Sequence, residues 1–187
     1  MPHQFMAVDC KKCGYGYCPV CKDKCPKCGK VDIADEKTMQ TRRQMKEHMN
    51  RNKKRYFAYG SNMSEEQMAE PDRAPDAQKV EAVELPDHEF FIDARSVASI
   101  REKQSMKVIG IIYLISKEDE ERLDKKEGFP KYYIKKDLPI INAFAYVDQT
   151  TEEGKPRDGY MEKIIKAAEY NDFPKEYITE LQSWLKK

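Results

Sequence analysis

Residues 56–67 read YFAYGSNMSEEQ and change character twice. Arg55 to Tyr59 alternate into an apolar strand that stops at Gly60, Ser61 and Asn62, and Ser64 and Gln67 then have the spacing of a capping box that opens a helix. Backbone amides in such a turn and at the helix start converge on one spot and favour an anion, such as a carboxylate or a developing oxyanion. A capped helix after a glycine turn is also an ordinary structural device, so this stretch fixes local structure and leaves function open.

Downstream, residues 89–93, 97–100, 107–115, 132–136 and 139–147 read as strands, with 107–115 (KVIGIIYLI) apolar enough for the middle of a sheet. Five or six strands and few helices predict an α+β fold, a small β-barrel or strongly curled sheet. Between two strands lies 116–128 (SKEDEERLDKKEG). Ser116 and Asp119 form a second capping box, Gly128 suits the C-terminal cap, and Pro130 prevents continuation.

Leu123 is the one internal apolar residue of that short helix and has to face the core. Glu127 lies four residues on and shares its face, so it is expected to look inward, whereas Glu118, Glu120 and Glu121 read as solvated surface. Glu127 also occupies the last turn, where the helix dipole disfavours an anion, and partial burial acts in the same direction. Both effects raise its pKa toward neutrality, as a general acid/base requires. Lys125 and Lys126 oppose this if they fold toward it, and a plain surface or cap role is the competing reading.

The N-terminal part has a different chemistry. Residues 1–55 carry 14 Lys/Arg against 6 Asp/Glu, a net +8, which leaves 20 against 27, or −7, for the rest. All six cysteines lie between positions 10 and 28, as three CxxC pairs. In a reducing compartment such pairs are metal ligands before they are disulfides. Cys10/Cys13 and Cys25/Cys28 each run into glycine, the shape of a zinc knuckle, and together they predict one tetrahedral Zn²⁺ site with a structural role. Cys18 and Cys21 have little slack to share it; they substitute for one knuckle, bind a second metal, or stay free. A redox role remains open, while the tight cysteine run of bacterial iron-sulfur proteins is missing.

Residues 32–54 lack Gly and Pro and predict a helix beginning near Asp35, with a thin apolar stripe and a strongly basic surface. A solvated spacer is one reading. A contact of residues 32–55 with nucleic acid or an acidic protein is the other, although no aromatics are interleaved for base stacking.

At 187 residues, 40% hydrophobic and 36% charged, the chain suits one globular domain with a small appendage. No apolar run spans a bilayer and the first residues lack the pattern of a signal peptide, so no membrane association and a cytoplasmic location are expected. Histidine offers no hydrolase site: His3 and His48 lie in the appendage, and His88 follows Pro86 and Asp87 in an expected surface turn.

Three segments together, 56–63, 110–133 (GIIYLISKEDEERLDKKEGFPKYY) and the tail 158–185 (DGYMEKIIKAAEYNDFPKEYITELQSWL), resemble the γ-glutamylcyclotransferase family and its AIG2-like relatives. The resemblance covers about residues 55–187 and includes Met68 and Arg73. It implies a mixed β-barrel flanked by helices, a loop of Tyr59, Gly60, Ser61 and Asn62 cradling a γ-glutamyl group, and Glu127 as acid/base. The implied reaction is intramolecular and needs no catalytic cofactor: the substrate's α-amine attacks its own γ-carbonyl, releasing 5-oxoproline and an amine or amino acid. Tyr133 and Tyr160 match family tyrosines and are expected either as hydrogen-bonding pocket walls or as core tyrosines.

Three parts are therefore expected: a Cys-rich zinc-ribbon-like module at 1–31, a basic helical connector at 32–54 and a γ-glutamylcyclotransferase-like domain at 55–187. The added module suggests a carrier-linked γ-glutamyl substrate beside small-molecule ones. The alternative is a non-catalytic protein whose pocket binds a γ-glutamyl-like ligand while the ribbon contacts nucleic acid or a protein.

Overall fold

A computed structural model of the chain describes residues 8–9, 16–17 and 53–186. The chain divides into two units, Met1–Asn52 and Lys53–Lys187. In the first, strands β1 (Val8–Asp9) and β2 (Gly16–Tyr17) pair antiparallel, with Val8 opposite Tyr17 and Asp9 opposite Gly16. The six cysteines and most of the basic connector lie outside the described residues.

The second unit is built on a five-stranded mixed sheet whose strands lie in the order Gln78–Ile92, Ala98–Ile115, Lys54–Ala58, Ala143–Asp148 and Tyr133–Leu138. Strand β3 (Lys54–Ala58) is central, antiparallel to β5 (Ala98–Ile115) and parallel to β7 (Ala143–Asp148). Its apolar run is thus flanked on both sides, and Phe57 and Ala58 are fully buried. The edges are β4 (Gln78–Ile92) and β6 (Tyr133–Leu138). The sheet curls without closing through a backbone ladder. Instead the Asp148 amide donates to Ser99 Oγ at 3.0 Å and the Tyr133 hydroxyl to the Ala98 carbonyl at 3.0 Å, which draws the start of β5 against β6 and β7.

Helix α1 (Glu65–Met68) follows the β3 turn, and α2 (Lys117–Glu127) joins β5 to β6. Helices α3 (Tyr160–Tyr170) and α4 (Lys175–Ser183) close the chain. They bury Met161, Ile164, Ile165, Tyr177 and Leu181, and the Trp184 ring meets Phe90 edge-on at 6.3 Å. Among the described residues no helix is long and apolar enough to cross a membrane.

Several expectations are corrected here. The residues expected as separate strands at 97–100 and 107–115 belong to one strand, interrupted by an outward bulge where the register jumps from Pro86–Lys107 to His88–Glu102. Residues 78–88 are strand as well. Their charged, proline-containing sequence reflects an edge position, where one side of the ladder and most side chains face water. His88 accordingly sits in that strand, half-buried, with Nδ1 2.8 Å from the Pro86 carbonyl. The turn signal it follows is the bulge, with Asp87 at φ 53.

Glu120 is buried instead of solvated. It lies three residues before Leu123 on the same helix face, and Lys54 and Lys135 compensate its charge at 2.8 and 2.6 Å. Lys54 and Arg55 fall in the strand, where Arg55 pairs with Glu81 at 2.9 Å, and Lys53 Nζ donates to the Asp76 carbonyl at 3.3 Å. These three cations of the basic run are therefore engaged within their own unit.

Candidate active site

The residues after β3 form a single 3-10 turn, Ser61–Met63. The Met63 amide bonds the Gly60 carbonyl at 3.0 Å and the Ser64 amide bonds the Ser61 carbonyl at 3.2 Å. Closing the turn uses those two amides, so any anion contact falls to the amides of Gly60, Ser61 and Asn62. A side chain at position 60 would meet Ala98 Cβ at 3.3 Å and the Tyr160 hydroxyl at 3.7 Å, which is why glycine suits the close approach of loop and strand. Ser64 caps α1 by accepting from the Gln67 amide at 3.2 Å. The reciprocal half of the expected capping box is missing: the Gln67 side chain turns to Ser61 and Asn62.

Helix α2 carries the other half of the site. Its capping box is complete, with Ser116 and Asp119 bonded in both directions, and Gly128 ends it at φ 67. Leu123 is fully buried, and Glu127 follows it on the same face and lines the cavity. Asn62 joins the two halves. Its Nδ2 donates to Glu127 Oε1 at 2.9 Å and to the Tyr56 hydroxyl at 3.0 Å, while its Oδ1 accepts from Arg73 Nη1 and Gln67 Nε2, each at 2.9 Å. Arg73 is itself held by Glu70 at 2.9 Å.

Tyr59, Gly60, Ser61, Asn62, Glu127, Tyr133 and Tyr160 all line one cleft, together with Tyr56, Ala98 and Tyr146. The free space within it is about 40 Å³. A second groove of about 440 Å³ shares Ser61 with it and is walled by Glu66, Lys163 and Tyr170.

The tyrosine hydroxyls have different tasks. Tyr59 commits its hydroxyl to the Tyr146 carbonyl at 2.5 Å, and Tyr146 donates to Asp124 at 2.6 Å. Tyr133 donates to the Ala98 carbonyl, and Tyr160 accepts the Ala98 amide at 3.2 Å. Burial holds the acidities of Tyr56, Tyr59, Tyr133, Tyr146 and Tyr160 weaker than an ordinary phenol's, so all five stay protonated.

Glu127 is the carboxyl that lines the cleft. Burial raises its pKa above the ordinary glutamate value, and the Asn62 hydrogen bond, Arg73, Lys126 and Arg95 pull against that rise. Lys126 reaches outward to Asp72 at 2.5 Å, so it tempers Glu127 from a distance.

Tyr56, Tyr146, Arg73 and Gln67 were not singled out as site residues by the sequence. In sequence, Tyr56 and Tyr146 are strand aromatics like any in the core, and Gln67 has a local capping explanation. Arg73 stood only within the family resemblance. Among the described residues no cluster of His, Cys, Asp and Glu is arranged to hold a metal ion.

Residues 107–181 match the sequence profile of the AIG2-like family. The structure resembles a solved γ-glutamyl cyclotransferase with a TM-score of 0.59 and 23% identity, over 70% of this chain and 86% of that one. An uncharacterized human protein matches equally, with TM-score 0.59, 23% identity and coverage of 70% and 87%. YkqA from Bacillus subtilis matches with TM-score 0.60 and 20% identity over 75% of this chain and 57% of its own length. No curated protein sequence matches significantly.

Proposed function

We propose that this chain, which has the fold of γ-glutamyl cyclotransferase and carries an AIG2-like segment, cleaves γ-glutamyl amides by cyclisation. The observation that carries this reading is the Asn62–Glu127 contact: one carboxyl of raised pKa, held by the glycine-turn loop in a cleft of protonated tyrosines. The substrate's α-amine forms a bond to its own γ-carbonyl carbon, the carbonyl electrons move onto oxygen, and Glu127 takes the proton the amine sheds. The tetrahedral intermediate then expels the amide nitrogen, which receives that proton from Glu127, giving 5-oxoproline and a free amine. Because the nucleophile belongs to the substrate, the protein's work is to hold the chain folded and to steady the oxygen, with the loop amides as donors. The larger groove at Ser61 gives the leaving portion somewhere to lie. A protein that only binds has no need of an inward carboxyl whose pKa burial raises. Mass spectrometry of γ-glutamyl amines and γ-glutamyl amino acids after incubation tests the reading: 5-oxoproline with a stoichiometric amine supports it, and no turnover of any of them overturns it.

The N-terminal unit is proposed as an accessory zinc clip using Cys10, Cys13, Cys25 and Cys28, with Cys18 and Cys21 available. Support comes from the spacing of the pairs. Bound to a carrier, it would direct the enzyme to carrier-linked γ-glutamyl groups. A nucleic-acid or acidic-protein contact by this unit would rest on residues 32–52, since Lys53, Lys54 and Arg55 are engaged elsewhere. Elemental analysis of the purified chain should give one zinc per chain that chelators remove; six titratable thiols without metal would contradict the clip.

A further inference from the structure

Gln67 does not line the small cleft around Glu127 but lines the larger groove that shares Ser61 with it. By local rules its side chain would reach back to the Ser64 amide. That amide is already bonded to the Ser61 carbonyl, and Gln67 Nε2 lies instead 2.9 Å from Ser61 Oγ and 2.9 Å from Asn62 Oδ1. An amide nitrogen has two protons, and both are committed here.

The polarity of this cluster is set by two groups that can act in one sense only. Arg73 can only donate, and it faces one end of the Asn62 amide; an ionised Glu127 can only accept, and it faces the other. Asn62 therefore turns its oxygen toward Arg73, and Gln67 has to offer that oxygen its NH₂ group. The second Gln67 proton falls on Ser61 Oγ, which becomes an acceptor. Tyr160, which lines the cleft with Ser61, accepts the Ala98 amide on its own oxygen. Each of these two hydroxyl oxygens thus already accepts an N–H. Both residues line the cleft, and the Ser61 proton is left to face it.

We infer that Gln67 is a positioning residue, which fixes Asn62 and Ser61 so that the Ser61 hydroxyl presents its proton to a substrate oxygen. Resting on the cyclotransferase reading above, that oxygen is the γ-carbonyl oxygen, whose negative charge grows as the amine attacks. Reversing the polarity at Gln67 would turn the Ser61 donor inward and release Asn62 from Glu127.

Gln67→Glu and Gln67→Met, in the full chain, test this. Glutamate keeps the shape, but its carboxylate accepts the Ser61 proton and repels Asn62 Oδ1; methionine keeps the length and offers neither sense. Two readouts are needed: kcat and KM for 5-oxoproline release, and the carbon-13 titration of the Glu127 carboxyl in the ligand-free protein. The expected result is a kcat loss of roughly tenfold for Met and approaching a hundredfold for Glu, with KM changed less. Glu127 should titrate at higher pH in both variants, and highest in Gln67→Glu, where a negative charge is added. A merely structural role would lower the melting temperature and leave the Glu127 titration in place. Wild-type kcat with an unmoved titration in both variants would overturn the proposal, and the Met variant carries the test if the Glu variant does not fold. Should the wild-type chain release no 5-oxoproline, the cyclotransferase reading falls, and the titration still decides the positioning: moved supports it, unmoved overturns it.

Discussion

Asn62 Nδ2 lies 2.9 Å from Glu127 Oε1 across 65 positions of sequence. Each end is set by a local device: the 3-10 turn after β3 fixes Asn62, and the capped helix α2 delivers Glu127 in its last turn. Burial disfavours the ionised form of Glu127. The amide, backed by Arg73, keeps its ionised form accessible, which is the balance a group that both takes and returns a proton needs.

That balance has a consequence for stability. The folded pKa of Glu127 lies above its unfolded one, so folding takes up a proton between the two values. Stability conferred by the protonated form is present below the ordinary value of 4.5 and is lost as pH rises through the folded value. Glu127→Gln keeps an acceptor for Asn62 and removes the charge. Its thermal midpoint at pH 7 should equal or exceed the wild type's, with a flatter dependence on pH above 4.5; a clear drop at neutral pH would contradict this.

Arg73 opposes the rise in the Glu127 pKa from within hydrogen-bonding distance of Asn62. In Arg73→Met the acid limb of kcat/KM, which marks ionisation of the base, should move to higher pH. An unmoved limb would mean that another group sets it.

Tyr133 and Tyr160 should separate in mutagenesis. The Tyr133 hydroxyl is committed to the buried Ala98 carbonyl, so Tyr133→Phe should cost about 1–2 kcal/mol of stability, measured by denaturant unfolding, and little kcat. Tyr160→Phe removes a hydroxyl from the cleft wall and should lower kcat more than it lowers stability. The opposite ranking would reverse these roles.

Gly60→Ala places a methyl 3.3 Å from Ala98 Cβ, tight enough to push the loop off β5. We expect a stability loss of about 1 kcal/mol or less and a several-fold rise in KM. Unchanged KM would show that the loop is free to give way there.

The sequence made parts of this arrangement legible because their causes are local. Leu123 and Glu127 share a face by helical spacing, and Gly128 ends that helix by its conformational freedom, so an inward Glu127 could be read without coordinates. The same spacing places Glu120 inward too, but its solvated reading ignored Lys54 and Lys135, which reach it from distant strands. Edge strand 78–88 was hidden by its charges and Pro86, since an edge is not required to be apolar. Tyr56, Tyr146 and Gln67 gain their places only from strand order and from competition for the Ser64 amide, which no local pattern records.

The most direct measurement of the central claim is the rate of 5-oxoproline release at saturating γ-glutamyl substrate, by mass spectrometry, for the wild type and Glu127→Gln side by side. With the fold intact by thermal melt, loss of the acid/base group should slow release by roughly 10² to 10⁴-fold. Equal release by both proteins would remove Glu127 from the mechanism.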